Sequence, residues 1–400
     1  MEAHSTNSPR RLESLLIVSQ VAGPLIKELA TDLTAAGVRC TVMTGWLDAA
    51  EGETPPFDVV RGAALVKAPS WRRMLSWLRF TMQVVWQAIR HRRTPLLVTT
   101  NPPWAMLALS ALRWLLGARY VLLMYDLYPD VLERMGKCNP RGLVARLWRR
   151  ASRKALLRAE GVITLGPRIT QTLSGHMRPG DRWSPRIIPN WADTDVIRPR
   201  ERSENPFARE HGLAGKFVVI YSGAFGATHD VDSIVEAAAA LSDLSDVHFL
   251  LIGGGTRQKE VSDLVARRAL ANLTLLPLQP LAVLPYSLAS ADCAIVCLDQ
   301  GYEGISVPSK TYYALAAGLA ILAVSPEGTE LTDLIEAEGC GVAIPPHRPD
   351  LLGAAVRRLH ADRSQLARFQ QASRAAAVSR YSRSILTGEY LTCLREWLAR

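Results

Sequence analysis

No two of the six cysteines are spaced Cys-x-x-Cys, and none has a histidine at zinc spacing. That absence sets aside a structural zinc and a dithiol redox centre, and scattered thiols suit a reducing compartment better than a disulfide framework. Long hydrophobic runs are missing too. The most apolar stretch, Leu96 to Tyr125, is broken by Asn101, Pro102, Pro103, Arg113 and Arg119, so it predicts strand, helix and strand in place of a membrane span. Residues 10–22 are leader-like, but Glu13 interrupts them and Gly23-Pro24 opens a helical pattern, which makes a first β-strand the better reading. The chain has no repeat of fixed period, no low-complexity tract after the polar opening MEAHSTNSP, and no motif of a nucleic-acid reader. Solenoids and nucleic-acid partners are therefore set aside. Gly253-Gly254-Gly255 follows a strand-like run without the full dinucleotide fingerprint, and no acidic residue ends the next strand, which argues against NAD.

The composition, 48% hydrophobic and 21% charged over 400 residues, is that of a folded protein large enough for two cores. Charge is unevenly divided. The first 200 residues carry 29 Lys and Arg against 15 Asp and Glu, and the second 200 carry 18 against 22. The first half is thus expected to meet something anionic, a membrane face or an acidic substrate. Short apolar runs alternate with amphipathic stretches almost throughout: LLIVSQ, LLVTTN, YVLLMYD and GVITLG in the first half, FVVIYSG, HFLLIGGG, CAIVCL and AILAVS in the second. Strands apolar on both faces and separated by helices predict parallel sheets covered on each side. Two such sets predict an α/β protein of two doubly wound, Rossmann-like domains. We place the first at 1–195, a polar linker at 196–210 within the Pro-, Asn- and charge-rich stretch 189–210, the second domain at 211–379, and a C-terminal helix at 380–400.

In such sheets ligands bind beyond the carboxyl ends of the strands, so the residues to weigh follow each apolar run. Gly223 and Gly226 allow close backbone approach ahead of a helix expected to start near Thr228, with His229 beside them. A phosphate-contacting loop and a routine turn both fit. Gly253 and Gly254 give room to a nucleotide or simply turn the chain. Pro277 and Leu278 end another strand, where backbone groups could read a base. The stretch SVPSKTYYALAAG, 306–318, is more telling. Lys310 stands at a predicted helix start, against the usual dipole preference, and an anion held by Lys310, Ser309 and free helix N–H groups would compensate it. The loop ahead of it supplies Glu303, Gly304, Ile305 and Ser306. In the first half, Asp126 and Tyr128 lie just past a buried strand, where an aspartate can orient a hydroxyl or act as a base. Capping the next helix is the alternative, and Asp130 suits it better. Asn101 ends a neighbouring strand. Asp193-Thr194-Asp195 is a literal Asp-x-Asp, but its place in the polar stretch favours turn and cap roles, and no metal is expected.

Trp71, Met74, Leu75, Leu78, Met82, Val85, Trp86 and Ile89 recur at helical spacing and are expected in the core. Trp77 and Phe80 fall off that stripe beside arginines, as suits a bilayer interface. Arg146, Arg149, Arg150, Arg153 and Lys154 repeat the basic theme.

Taken together, TNPPWAML, YDLYPDVLERMG, VITLGPRITQTL, IIPNWADTDVIRP, YSGAFGATHDVDSIVEAA, LPYSLASADCAIVCLD and GISVPSKTYYALAAG resemble bacterial glycosyltransferase family 4, in the branch similar to the transferases of colanic acid and O-antigen assembly. The resemblance implies a GT-B fold, two Rossmann-like domains facing a cleft, with a nucleotide-sugar donor on the second and the acceptor on the first. It implies retention of anomeric configuration, no cofactor or bound metal, a C-terminal helix returning to the first domain, and in many relatives a polyprenyl-diphosphate-linked acceptor at the inner membrane face. That gives a cytoplasmic, peripheral enzyme. The chain departs from the family in several places. Two glutamates common in the family are replaced by Ile305 and Tyr313, which leaves Glu303 as a substitute for the first. Ala224 and His229 stand where many relatives have an arginine and a lysine, so Lys310 is expected to carry more of the diphosphate charge. A histidine of the acceptor-side loop is replaced by Tyr125, which leaves Asp126 as the catalytic candidate. A sugar-nucleotide epimerase and a non-catalytic subunit docking a partner transferase share the fold and stay open as alternatives.

Overall fold

The computed structural model describes residues 11–48, 54–66, 68–226, 229–305 and 307–399. The chain divides into two compact units. One runs to Pro189 and takes in the chain again from Leu386; the other is Asn190–Ile385.

Each unit is built on a parallel sheet. In the first, seven strands lie in the order Asp58–Arg61, Arg39–Thr44, Ser14–Val18, Leu96–Thr99, Tyr120–Met124, Gly161–Thr164 and Arg186–Ile187. In the second, six lie in the order Leu273–Pro277, Val247–Gly254, Phe217–Ala224, Cys293–Cys297, Ala320–Val324 and Gly341–Ile344. Every residue of Leu96–Thr99, Tyr120–Met124, Cys293–Cys297 and Ala320–Val324 is buried, as strands covered by helices on both faces must be. The apolar stretch from Leu96 accordingly resolves into strand, the helix Pro103–Leu116, and strand. Chain order reverses between Ser14–Val18 and Leu96–Thr99 in one sheet and between Phe217–Ala224 and Cys293–Cys297 in the other. Those two reversals are where a doubly wound sheet opens to a ligand.

Local chemistry sets the helix ends. Pro24 opens Pro24–Ala35, whose Leu25, Ile26, Leu29 and Leu33 make the buried stripe. Thr329 and Thr332 form a reciprocal capping box on Glu330–Glu338, which stops at Gly339 with φ 59°. The stretch 196–210, read as a linker, groups with the second unit, where Ile197, Phe207 and Ala208 are buried. The final helix, Arg383–Leu398, lies against the first unit from Leu386 on: Arg119 donates to the carbonyls of Trp397 and Leu398 at 2.9 and 3.0 Å. The indole of Trp397 fills the space where Gly161 has no side chain.

Two expectations are overturned. The helix after the Gly223 loop begins at Asp232; Thr228 itself lies outside the described residues. On the helix Ser70–Arg90 the faces are reversed: Trp77 and Phe80 are buried, while Trp71, Met74, Leu75, Leu78, Met82, Trp86 and Ile89 are exposed. The inward face sets Ser76, Thr81 and Ala88 between the larger Trp77, Phe80 and Val84, a mixture of sizes that can interdigitate with a packed interior.

The register across the second sheet places Gly223, Gly253 and Pro277 side by side. A side chain at 253 would meet the Gly223 carbonyl and the Phe225 ring at 2.5 Å. Gly253→Ala is therefore expected to cost about 1–3 kcal/mol, the range for overpacking a tight site, read as a lowered urea midpoint.

Candidate functional site

At the reversal point of the second sheet, Gly223 adopts φ 149°, and the Nζ of Lys310 lies 3.2 Å from where a side chain at 223 would begin. The ammonium also sits 4.0 Å from the centre of the Tyr221 ring, a cation–π contact, while the Tyr221 hydroxyl donates to the Ala224 carbonyl at 2.6 Å. The residue as a whole is half-buried, but its Nζ is buried and meets no hydrogen-bond acceptor. Burial lowers its pKa to about 8, because the charged form is poorly solvated there. Behind it a recess of about 30 Å3, lined by Ser222, Ile295, Tyr313 and Ala314 among others, has room for one water. His229, whose N–H bonds the Gly226 carbonyl at 3.2 Å, is driven down to about pKa 3 by burial and then by the Lys310 charge. It is neutral at neutral pH. Gly254 completes the cradle, with Leu278 3.4 Å from the place of its missing side chain.

Gly223, Gly226, His229, Gly253, Gly254, Pro277, Leu278, Lys310 and Tyr313 therefore share one end of one sheet. The others are differently placed. Glu303 accepts from the Gly301 N–H at 3.0 Å and so braces its own turn, with Gly304 and Ile305 buried after it. Ser309 is exposed and precedes the helix Lys310–Ala316 without capping it. The N–H groups of Thr311 and Tyr312 bond back to Pro308 and Ser309, so they are not free to receive an anion; the charge of Lys310 is. Ser306 lies outside the described residues. Asp193 accepts from the N–H groups of Asp195 and Val196 and pairs with Arg383 at 2.9 Å, a turn and an ion pair.

In the first unit, Thr100 Oγ1 receives the N–H groups of Tyr125 and Asp126 at 3.2 and 3.0 Å. The Asn101 carbonyl receives the N–H of Gln20 at 2.9 Å. Three strand ends around the reversal point are thus stitched together through Thr100 and Gln20, which the sequence reading passed over. Burial raises the Asp126 carboxyl to about pKa 6, and pushes the Tyr125 hydroxyl up. Tyr128 rises to about 12, chiefly through burial and then through the Asp126 charge, against the pull of Arg73. Its ring stacks on Trp148 at 6.2 Å and meets Trp77 edge-on at 5.9 Å; Trp77 meets Trp104 in turn. Arg73 Nε and the indole nitrogens of Trp77 and Trp148 are buried without a hydrogen-bond partner. Asp130 turns to His176 at 3.2 Å and caps no helix.

Family models match both units: the glycosyl transferase 4-like domain over residues 22–191, and glycosyl transferases group 1 over 204–376. The chain belongs to the glycosyltransferase family these domains define. It is 27% identical to the probable glycosyltransferase WbjE of Pseudomonas aeruginosa over 87% of its own length and 88% of that protein's. It is 28% identical to the putative colanic acid biosynthesis glycosyl transferase WcaI of Escherichia coli K12, over 60% of each chain. In fold it is similar to Anabaena HepE, solved with UDP-glucose, at a TM-score of 0.72, 16% identity, and 96% and 99% coverage. The architecture is GT-B.

In this glycosyltransferase the signal for Thr100 and Gln20 was their place at strand ends, while Trp148 lay on a helix read for its basic residues and Arg73 on one read for its apolar stripe. Asp126→Asn yields an expected outcome. A carboxyl whose pKa is raised on folding, here from 3.8 to about 6, destabilises the folded state once it ionises. The Asn variant should melt higher than wild type above pH 6, and the difference should vanish towards pH 4; equal melting curves at pH 7.5 would refute the burial.

Proposed function

We propose that the chain is a retaining glycosyltransferase that moves a sugar from a nucleoside diphosphate donor to a lipid-linked saccharide, in the assembly of cell-surface polysaccharide at the cytoplasmic face of a membrane. One observation carries this reading: a buried ammonium at Lys310, without an acceptor, beside a strand end that glycine keeps open. Buried charges normally have partners, and a pyrophosphate is the partner this place suits. The name of WcaI and the UDP-glucose bound to HepE point the same way.

In this reading Lys310 neutralises the diphosphate as it departs, helped by Ser309 and the Gly223–Gly226 backbone; Ser306, outside the described residues, is expected to contribute a hydroxyl. Neutral His229 can donate or accept one hydrogen bond without adding charge. Gly253, Gly254, Pro277 and Leu278 take the nucleoside, and Gly304, Ile305, Tyr313 and Glu303 border the sugar. Asp126 orients the attacking hydroxyl, and Asn101, Tyr125 and Tyr128 hold the acceptor. The rings of Tyr128 and Trp148 offer it a flat apolar wall, and the unpartnered nitrogens of Arg73, Trp77 and Trp148 offer donors for its oxygens. The reading needs no cofactor and no metal, since the lysine supplies the positive charge. Retention of configuration rests on the family resemblance.

Lys310→Met should lower turnover about 10²–10³-fold, the usual loss for one donor to developing charge, without lowering the melting temperature. Nucleotide binding should also lose its pH dependence. Wild type binds UDP more weakly as pH rises through about 8, where the ammonium discharges, and the Met variant should not. Isothermal titration at pH 7 and 9 measures both. The acceptor is tested by incubating a panel of nucleotide sugars with membrane lipid extract and scoring lipid-linked product by mass; altered donor without transfer would make the protein an epimerase.

A further inference from the structure

The helix Ser70–Arg90 turns its larger apolar side outward. Trp71 is 61% exposed, Trp86 56%, Met82 55% and Leu78 45%, while Trp77, Phe80 and Val84 fill the inward side. Arg72, Arg79 and Arg90 run along one edge of the outward stripe and are exposed. The guanidinium groups of Arg72 and Arg90 lie over the rings of Trp71 and Trp86, at 5.1 and 5.3 Å. The helix packs against Pro103–Leu116, which packs against Leu143–Arg158. These neighbours add exposed Trp114 and Leu115 at the end of one and Leu143 and Val144 at the start of the other. Not one aspartate or glutamate occurs in the three helices. The exposed Arg146, Arg150 and Lys154 meet no carboxylate among the described residues.

We propose that this outward face docks on an anionic lipid bilayer, with the helix Ser70–Arg90 lying in the plane of the interface. Sequence and geometry favour lipid over other occupants. A stripe of tryptophan, leucine and methionine edged by arginine is the pattern of an interfacial helix, and tryptophan prefers the headgroup level. The arginines make the helix too charged to span; none of the described helices is long and apolar enough to cross a membrane. A second copy docking by the same face would bring arginine against arginine, with no acid on these three helices to answer it. An anionic leaflet answers all of them at once. The proposal gives purpose to the lipid-linked acceptor of the functional reading, but its evidence is independent of that reading.

The test uses the full chain and vesicles of phosphatidylcholine, with and without equimolar phosphatidylglycerol, scored by co-sedimentation. Wild type should bind the anionic vesicles and little of the neutral ones, and added salt should weaken it. The variant Leu78→Ser/Met82→Ser/Trp86→Ser should bind at least about tenfold more weakly, while circular dichroism and melting stay unchanged, because these side chains lie outside the core. Arg72→Gln/Arg79→Gln/Arg90→Gln should lose the preference for anionic lipid. Wild type that ignores anionic vesicles, or a serine variant that binds them as well, would overturn the proposal. So would a wild-type dimer in light scattering that the serine variant turns into monomer, or retention by an acidic protein but not by lipid. UDP titration keeps the two readings apart: vesicle binding without nucleotide binding would sink only the donor assignment, and nucleotide binding without vesicle binding only this one.

Discussion

The buried charge of Lys310 is the constraint around which the second unit is arranged. An ammonium held against a tyrosine face, with no oxygen in reach, is a cost carried by the resting protein. The cost is sustained because the surroundings are fixed: Gly223 leaves the space, Gly253 lets the next strand come flush with the Gly223 carbonyl, and the Tyr221 hydroxyl is tied to Ala224. A site prepared in this way has little to reorganise when negative charge arrives, which is the condition under which fixed charges are most effective in catalysis. The depressed pKa of His229 follows from burial first and then from the same charge, so its imidazole adds no second positive charge beside the ammonium at neutral pH.

The first unit solves a related problem with hydrogen bonds. At its own reversal point Thr100 and Gln20 join the ends of neighbouring strands, and the carboxyl they position, Asp126, is held partly out of water. The two units share a strand order and differ in sign, one presenting a poorly solvated cation and the other a poorly solvated acid.

Much of this was legible in the sequence because strand ends are legible. Buried parallel strands read as unbroken apolar runs, and whatever follows them is a candidate; Lys310, Gly223 and Asp126 were found that way. Three things were not. The helix Ser70–Arg90 carries two stripes at helical period, and counting large apolar residues selects the wrong one: the side turned inward buries Trp77, Phe80 and Val84 together with Ser76, Thr81 and Ala88. Tertiary packing decides which stripe is covered, and periodicity says nothing about that. The N–H groups at the start of Lys310–Ala316 were expected to be free, but a tight turn consumes those of Thr311 and Tyr312. Local backbone geometry of this kind leaves no mark in residue type. The aromatic cluster around Tyr128 draws on four separate elements and was invisible for a similar reason: its members are far apart in the chain.

The return of the chain to the first unit at Leu386 has a consequence for how the molecule is made. Residues 190–385 are inserted into the first unit, so the ribosome completes the inserted body before it releases the segment that finishes the outer one. Until Trp397 emerges, the strand at Gly161 lacks the indole that covers it and Arg119 lacks its two carbonyls. The nascent first unit therefore stays incomplete at Gly161 and Arg119 until Trp397 and Leu398 have been made.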